Sequence, residues 1–199
     1  MRALKRFLML IMAVTLGVLA LACQPAVLFR GEAYDPVEAA PQLTGTNWDG
    51  KPFRLSDQQG KVAIVFFGYT FCPDICPFTL SKMKRLYKEL GDQADDVSLV
   101  FASVDPERDS VEKLAGYVPG FDERFYGVRM DREEMQAMIK GWNVTVQKSQ
   151  PKDGPASKRF YYVDHTGFLF LIDRQGNLRV RHSSNPQVED LLPDIRKLL

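Results

Sequence analysis

Histidine is nearly absent from this chain. There are two in 199 residues, His165 and His182, and only three cysteines beside them, Cys23, Cys72 and Cys76. A tetrahedral zinc site of two cysteines and two histidines is met in number, but the two histidines lack the short ligand spacing such sites use. A large excess of either charge is missing as well: the formal net charge is +1, so there is no basic footprint for nucleic acid. No internal repeat and no low-complexity tract interrupts the chain, and its apolar and charged fractions of 45% and 26% are those of an ordinary globular protein.

What is present begins with an N-terminal appendage to a single domain. Residues 1–22, MRALKRFLMLIMAVTLGVLALA, place Arg2, Lys5 and Arg6 ahead of an apolar run from Phe7 to Ala22, the layout of an export signal or membrane anchor. Without them 23 Lys+Arg face 25 Asp+Glu, a balance of −2. Cys23 then follows small residues as in a bacterial lipoprotein signal, although Ala20 stands where leucine is preferred. Ala20-Leu21-Ala22 also fits an A-x-A cleavage site, and an apolar run continuing to Phe29 approaches the ~20 residues of a spanning helix. The expectation is attachment to a membrane, by lipid on Cys23 or by an uncleaved N-terminal helix. Residues 23–47 read as a tether, because RGEAYDPVEAAPQLTG over 30–45 is polar, proline-bearing and weakly patterned. The folded domain is then expected over 48–199.

Within that domain the pattern is α/β. KVAIVFFGY is a continuous apolar run too short for a buried helix, which suits a central strand covered on both faces. PFTLSKMKRLYKEL follows with Leu80, Met83, Leu86, Tyr87 and Leu90 at helical spacing up to Gly91. DVSLVFASVD reads as a second buried strand, RDSVEKLAGYV as a short helix, and REEMQAMIKGWNV as another. Met135 and Met138 fall on one face of that last helix, so core packing explains them better than copper–thioether chemistry. RFYYVDHTGFLFLIDRQGNLRVRH gives two or three strands with a DRQGN hairpin turn. A helix from PQVEDLLPDIRKLL closes the chain, with Pro193 expected to kink or restart it. This order is that of a thioredoxin-like fold, a central mixed sheet flanked by helices.

The strand-to-helix turn of such a fold is a natural reactive site, and here it carries GYTFCPDICP. Pro77 suits the first helical position, which sets Cys76 at or near the helix cap, where the dipole favours a thiolate. Pro73 biases Cys72 toward an extended turn. Residues four apart across a tight turn can close a disulfide or share a metal ion, and the familiar redox spacing has two intervening residues rather than three. A structural disulfide is the third use open to the pair. His165, in VDHTGF where a strand breaks and resumes, belongs to a loop that faces the cysteine turn in this topology. Two thiolates and that imidazole make a soft three-coordinate site suited to Cu(I) and tolerant of Cu(II). His182, beside Arg181 at a strand end, reads as a surface histidine. A thiol peroxidase would need an activating arginine and hydroxyl beside its cysteine, and no such local signature stands around Cys72.

GYTFCPDICP, SVDPERDS and YYVDHTGFLFLIDRQG, in that order, resemble the Sco/SenC family of thioredoxin-fold copper proteins that assist assembly of cytochrome c oxidase, over about Trp48 to Leu199. The resemblance implies copper ligands at Cys72, Cys76 and His165, with Asp164 either a neighbour of the ligand set or a turn-capping aspartate. DPERD, Asp105 to Asp109, follows the family pattern and reads as a strand-to-helix turn with Asp109 capping the next helix. Phe71 stands where some members have histidine, so a fourth imidazole is not available there, and Thr166 stands where serine is common. By this resemblance the chain is a metallochaperone rather than an enzyme. It would sit on the periplasmic side of a bacterial cytoplasmic membrane and deliver copper to the dinuclear centre of oxidase subunit II. An upstream copper chaperone or thiol reductant would be its second partner. The alternative implied by the same family is a thiol-disulfide reductase that keeps the oxidase's copper-ligand cysteines reduced.

Overall fold

A computed structural model of the protein describes residues 28–150 and 161–199. The expected signal or anchor and Cys23 lie outside them. Among the described residues no helix is long and apolar enough to cross a membrane. In chain order the elements are β1 (Glu32–Ala39), β2 (Thr44–Asn47), β3 (Pro52–Arg54), β4 (Val62–Gly68), α1 (Ile75–Leu90), β5 (Val97–Ser103), α2 (Val111–Ala115), β6 (Tyr126–Arg129), α3 (Arg132–Gly141), β7 (Val146–Ser149), β8 (Tyr162–His165), β9 (Leu169–Ile172), β10 (Asn177–His182) and α4 (Val188–Leu198).

Every residue of β4 and β5 is buried, and the two run parallel in register from Val62↔Val97 to Gly68↔Ser103. Apolar runs without alternation are what strands covered on both faces require. Around this pair the main sheet is ordered β1-β10-β9-β4-β5-β6-β2-β3, while β7 and β8 form a separate two-stranded ribbon. α1 crosses from β4 to β5 and α2 from β5 to β6, each between parallel neighbours. The β9–β10 hairpin and α4 complete the thioredoxin-like order expected from the sequence. α1 buries Leu80, Met83, Leu86, Tyr87 and Leu90 on one stripe, and the Tyr87 hydroxyl donates to the Val97 carbonyl at 3.0 Å, fastening the helix to β5. Met135 and Met138 are buried in α3, as their spacing predicts.

Three expectations need correction. Residues 30–45 are not a tether but part of the fold: β1 pairs antiparallel with β10, and β2 with β3 and β6. β1 is an edge strand with mostly exposed side chains and a proline, so it carries no core pattern to read. Arg181 holds it through two hydrogen bonds to Glu32 at 2.8 and 2.7 Å. His182 is not at the surface. It is buried with its Nε2 3.1 Å from Oδ2 of Asp194, a carboxylate fully enclosed in α4 that also accepts the Arg30 and Gly31 amides at 2.8 and 2.9 Å. Pro193 does not restart its helix, since α4 runs unbroken through it. The Glu189 carbonyl, which loses its donor to that proline, accepts instead from Arg30 Nη1.

Gly68, the last residue of β4, ties the core to the turn that follows. A Cβ there would stand 2.6 Å from Cε2 of Phe101 and 3.0 Å from Sγ of Cys76. The missing side chain is what lets Cys76 seat against the strand. Gly68→Ala is therefore expected to lower unfolding free energy by about 1–3 kcal/mol through overpacking, measured by urea unfolding, and to leave the m-value unchanged.

Candidate metal centre

The chain leaves β4 at Gly68 and turns tightly, the Cys72 amide donating to the Tyr69 carbonyl at 3.2 Å, before α1 opens at Ile75. Cys76 is thus the second residue of the helix and Pro77 the third, not the first as its sequence preference indicates. A proline there still removes only an amide that has no partner within the helix. Asp74, at the N-cap, makes no side-chain capping bond. Its place is taken by sulfur: the Cys76 amide donates to Cys72 Sγ at 3.4 Å.

That arrangement divides the cysteines. Cys72 is half-buried and Cys76 fully buried, and both are free thiols. The Cys76 thiol donates to the Cys72 sulfur, and this bond, aided by the Asp74 and Cys76 amides and the nearby His165 against the opposing cost of burial, brings Cys72 down to about 5. The same bond, with burial and the adjacent thiolate, pushes Cys76 far up. One proton is shared by the pair and sits on the inner sulfur.

His165 ends β8, opposite Val146 of β7. Thr166 locks the ribbon end: its amide donates to the Thr145 carbonyl and its hydroxyl accepts the Thr145 amide, each at 3.0 Å. Nδ1 of His165 lies 3.0 Å from the Thr166 carbonyl. A proton on Nδ1 satisfies that contact and leaves Nε2 as a lone pair, the arrangement in which histidines bind metals. The ring meets Tyr69 edge-on, centroids 6.2 Å apart. Burial holds the Tyr69 phenol protonated by raising it to about 12.

Cys72 and His165 border one open cleft of about 480 Å³, together with Tyr69, Ile75, Val163 and Ser184. Cys76, four residues on and fully buried, does not line it. Of the three residues singled out in the sequence, the structure thus brings Cys72 and His165 to one cleft. Among the described residues, though, no three His, Cys, Asp or Glu side chains stand close enough to grip an ion without rearrangement. Asp164 is exposed within β8, paired with Gln147, borders the same cleft, and accepts no capping hydrogen bond among the described residues. Asp109 does not cap the next helix either: Ser110 does, accepting from the Lys113 amide at 3.2 Å. Asp109 is instead fully buried and accepts from the Thr70 amide at 3.1 Å, the Thr70 hydroxyl at 2.6 Å and the Ser103 hydroxyl at 2.7 Å. Burial outweighs these donors and raises its carboxyl. Tyr69, Thr70 and Asp109 were not read as parts of the site. The signal that could have found them is the charged DPERD segment placed directly after a strand with no exposed residue.

Similarity to known proteins falls on the same region. A family model described as SCO1/SenC matches residues 32–199. A "putative copper-binding protein" of Stutzerimonas stutzeri is 34% identical over 142 residues, covering 71% of this chain and 67% of that one. The chain spans a smaller share, 43%, 59% and 47%, of three further curated relatives. Among solved structures, apo Sco1 of Thermus thermophilus superposes with a TM-score of 0.75 at 33% identity, covering 88% of this chain and all of that one. Bradyrhizobium japonicum ScoI, solved with copper bound, gives 0.71 at 31% identity, covering 81% and 100%.

The division of the cysteines is open to direct measurement. In the reduced, metal-free protein, alkylation of Cys72 by iodoacetamide is expected to rise with pH about a midpoint near 5, the thiolate being the attacking form. Cys76 is expected to stay unmodified until the chain is unfolded, as peptide mapping of the alkylated protein would read. Equal labelling of the two sulfurs in the folded protein would contradict this assignment.

Proposed function

The chain belongs to the SCO1/SenC family, and from that premise we propose that it carries copper as cargo on Cys72, Cys76 and His165 and hands it on during assembly of cytochrome c oxidase. The observation that carries this reading is the cleft in which a thiolate and an imidazole with a free Nε2 face the same space. Two sulfurs and one ring nitrogen are a soft donor set that favours Cu(I) and accepts Cu(II).

Each residue has a definite part. Cys72 presents its sulfur already deprotonated, so it captures the cation first. Cys76 gives up the shared proton as it joins, which makes uptake release a proton and weaken as pH falls. His165 is aimed by the Thr166 carbonyl and completes the set. Three donors leave the ion open to an incoming thiolate, so transfer proceeds by ligand exchange without free copper. The recipient is the dinuclear copper centre of oxidase subunit II, and a copper chaperone or thiol reductant acts upstream. Phe71, Ile75, Phe78 and Tyr162, large apolar side chains left exposed around the cysteine turn and β8, fit contact with such protein partners. The basic-then-apolar N-terminus, with Cys23 at its end, fits a protein held on the outer face of the cytoplasmic membrane.

The lowered Cys72 beside a protonated Cys76 also fits a second reading, a dithiol that reduces the oxidase's copper-ligand cysteines. His165 separates the two, since disulfide exchange has no need of it. In anaerobic competition for Cu(I) against a chelator, Cys72→Ser, Cys76→Ser and His165→Ala are each expected to lose more than the roughly 10–100-fold that removal of a merely supporting residue costs. Equal affinity in all three variants and the wild type would end the copper reading. His165→Ala is expected to keep its rate of disulfide exchange with a small-molecule disulfide.

A further inference from the structure

The sulfurs and the imidazole sit on separate pieces of the molecule, and what fixes the distance between them is not either piece. Cys72 and Cys76 stand on the turn after β4, in the main sheet. His165 stands on the β7–β8 ribbon, which shares no strand pairing with that sheet. Between them lies the segment Asp105–Asp109, a turn closed on itself by the Arg108 and Asp109 amides donating to the Asp105 carbonyl at 3.2 and 2.9 Å.

This segment grips both sides. Toward the cysteines, Asp109 takes the Thr70 amide and hydroxyl, two residues before Cys72. Toward the histidine, Arg108 Nη1 donates to the Tyr161 carbonyl at 2.9 Å, and its guanidinium lies 3.6 Å from the centre of the Tyr161 ring. The Tyr161 hydroxyl donates to Asp105 Oδ1 at 2.7 Å, while Arg108 Nε donates to Oδ2 of the same carboxylate at 2.5 Å. Tyr161 immediately precedes β8. Asp105 and Asp109 are 1% and 0% exposed, so neither carboxylate swings freely. A direct link runs parallel to this one, the Val163 amide donating to the Tyr69 hydroxyl at 3.3 Å.

The geometry points to Asp105, Arg108 and Asp109 as positioning residues that act as one brace, setting the gap between the Cys72–Cys76 turn and His165 and thereby the copper affinity of the site. None of them touches the cargo. The inference rests on the copper reading for its effect on affinity, but the brace itself is a property of the metal-free chain. A brace with two arms has a distinctive consequence: cutting either arm removes the whole of the brace's hold and leaves only the Val163–Tyr69 link, and cutting the second arm adds little. Two independent supports would instead multiply their losses.

The test uses the full chain in detergent, as wild type, Arg108→Gln, Asp109→Asn and the double variant, with Thr70→Val as a second substitution on the cysteine arm should Asp109→Asn fail to fold. Two measurements are made. Hydrogen exchange of the metal-free protein is expected to show the amides of Val163 and His165 losing protection in both single variants, including the one whose change faces the cysteine turn, while β4 and β5 keep theirs. Cu(I) competition is expected to weaken about 10–100-fold in each single variant, and in the double variant by no more than the larger single loss. Wild-type protection of β8 in either single variant, or a double loss equal to the product of the singles, overturns the brace. Failure of the wild type to bind copper overturns the proposed function instead, and the exchange data then still decide the brace.

Discussion

Because β4 and β5 are closed to water along their whole length, only the ends of that ribbon are left to carry chemistry. At the carboxyl end of β4 the backbone must leave the sheet, turn, and begin a helix within a few residues, and it does so with amides that have no partner inside the helix. Those amides are the resource of the site. With no side-chain cap from Asp74, a sulfur receives them, and a sulfur that accepts hydrogen bonds at a helix start is stabilised as an anion. The acidity of Cys72, owed first to the Cys76 thiol and then to these amides, is in this sense a product of how the central strand ends.

The same closure decides which parts of the structure can be read from residues alone. β4, β5 and α1 are written in runs and stripes of apolar residues, because burial on two faces or on one leaves a periodic record. Cys72, Cys76 and His165 are conspicuous because their types are so rare in the chain. β1 left no such record. Its side chains mostly face water and its role is to cover an edge, which backbone amides do whatever the side chains are. His182 and Asp109 were misplaced for a related reason: each is a polar residue whose local context reads as surface or cap, while its partner is distant in sequence. Asp194 lies twelve residues beyond His182 and across an intervening turn. Thr70 lies 39 residues before Asp109. No local pattern announces such pairings.

Three of the four buried aspartates, Asp105, Asp109 and Asp194, show what the fold does with carboxylates it hides. A buried acid without partners would cost several kcal/mol, roughly the whole margin of a small domain. Here each receives donors from segments that the sheet does not itself hold: the cysteine turn, the approach to β8, and the residues just ahead of β1. Each acid has two oxygens and can take donors from more than one direction, which makes it suited to a junction between loops. Apolar packing fills the sheet and helices, and these polar junctions fix how the loops stand relative to one another.

The latch on Asp194 closes across 164 residues of chain, and that has a consequence for how the molecule is completed. A polypeptide delivered from its amino end can zip β4 to β5 early, but Arg30 and Gly31 have nothing to grasp until the last helix has emerged and folded. The residues just ahead of β1 therefore wait for the last helix, while β1 itself needs only β10. A chain interrupted shortly before α4 would hold its central layers and could still pair its first strand, leaving the segment before that strand unlatched.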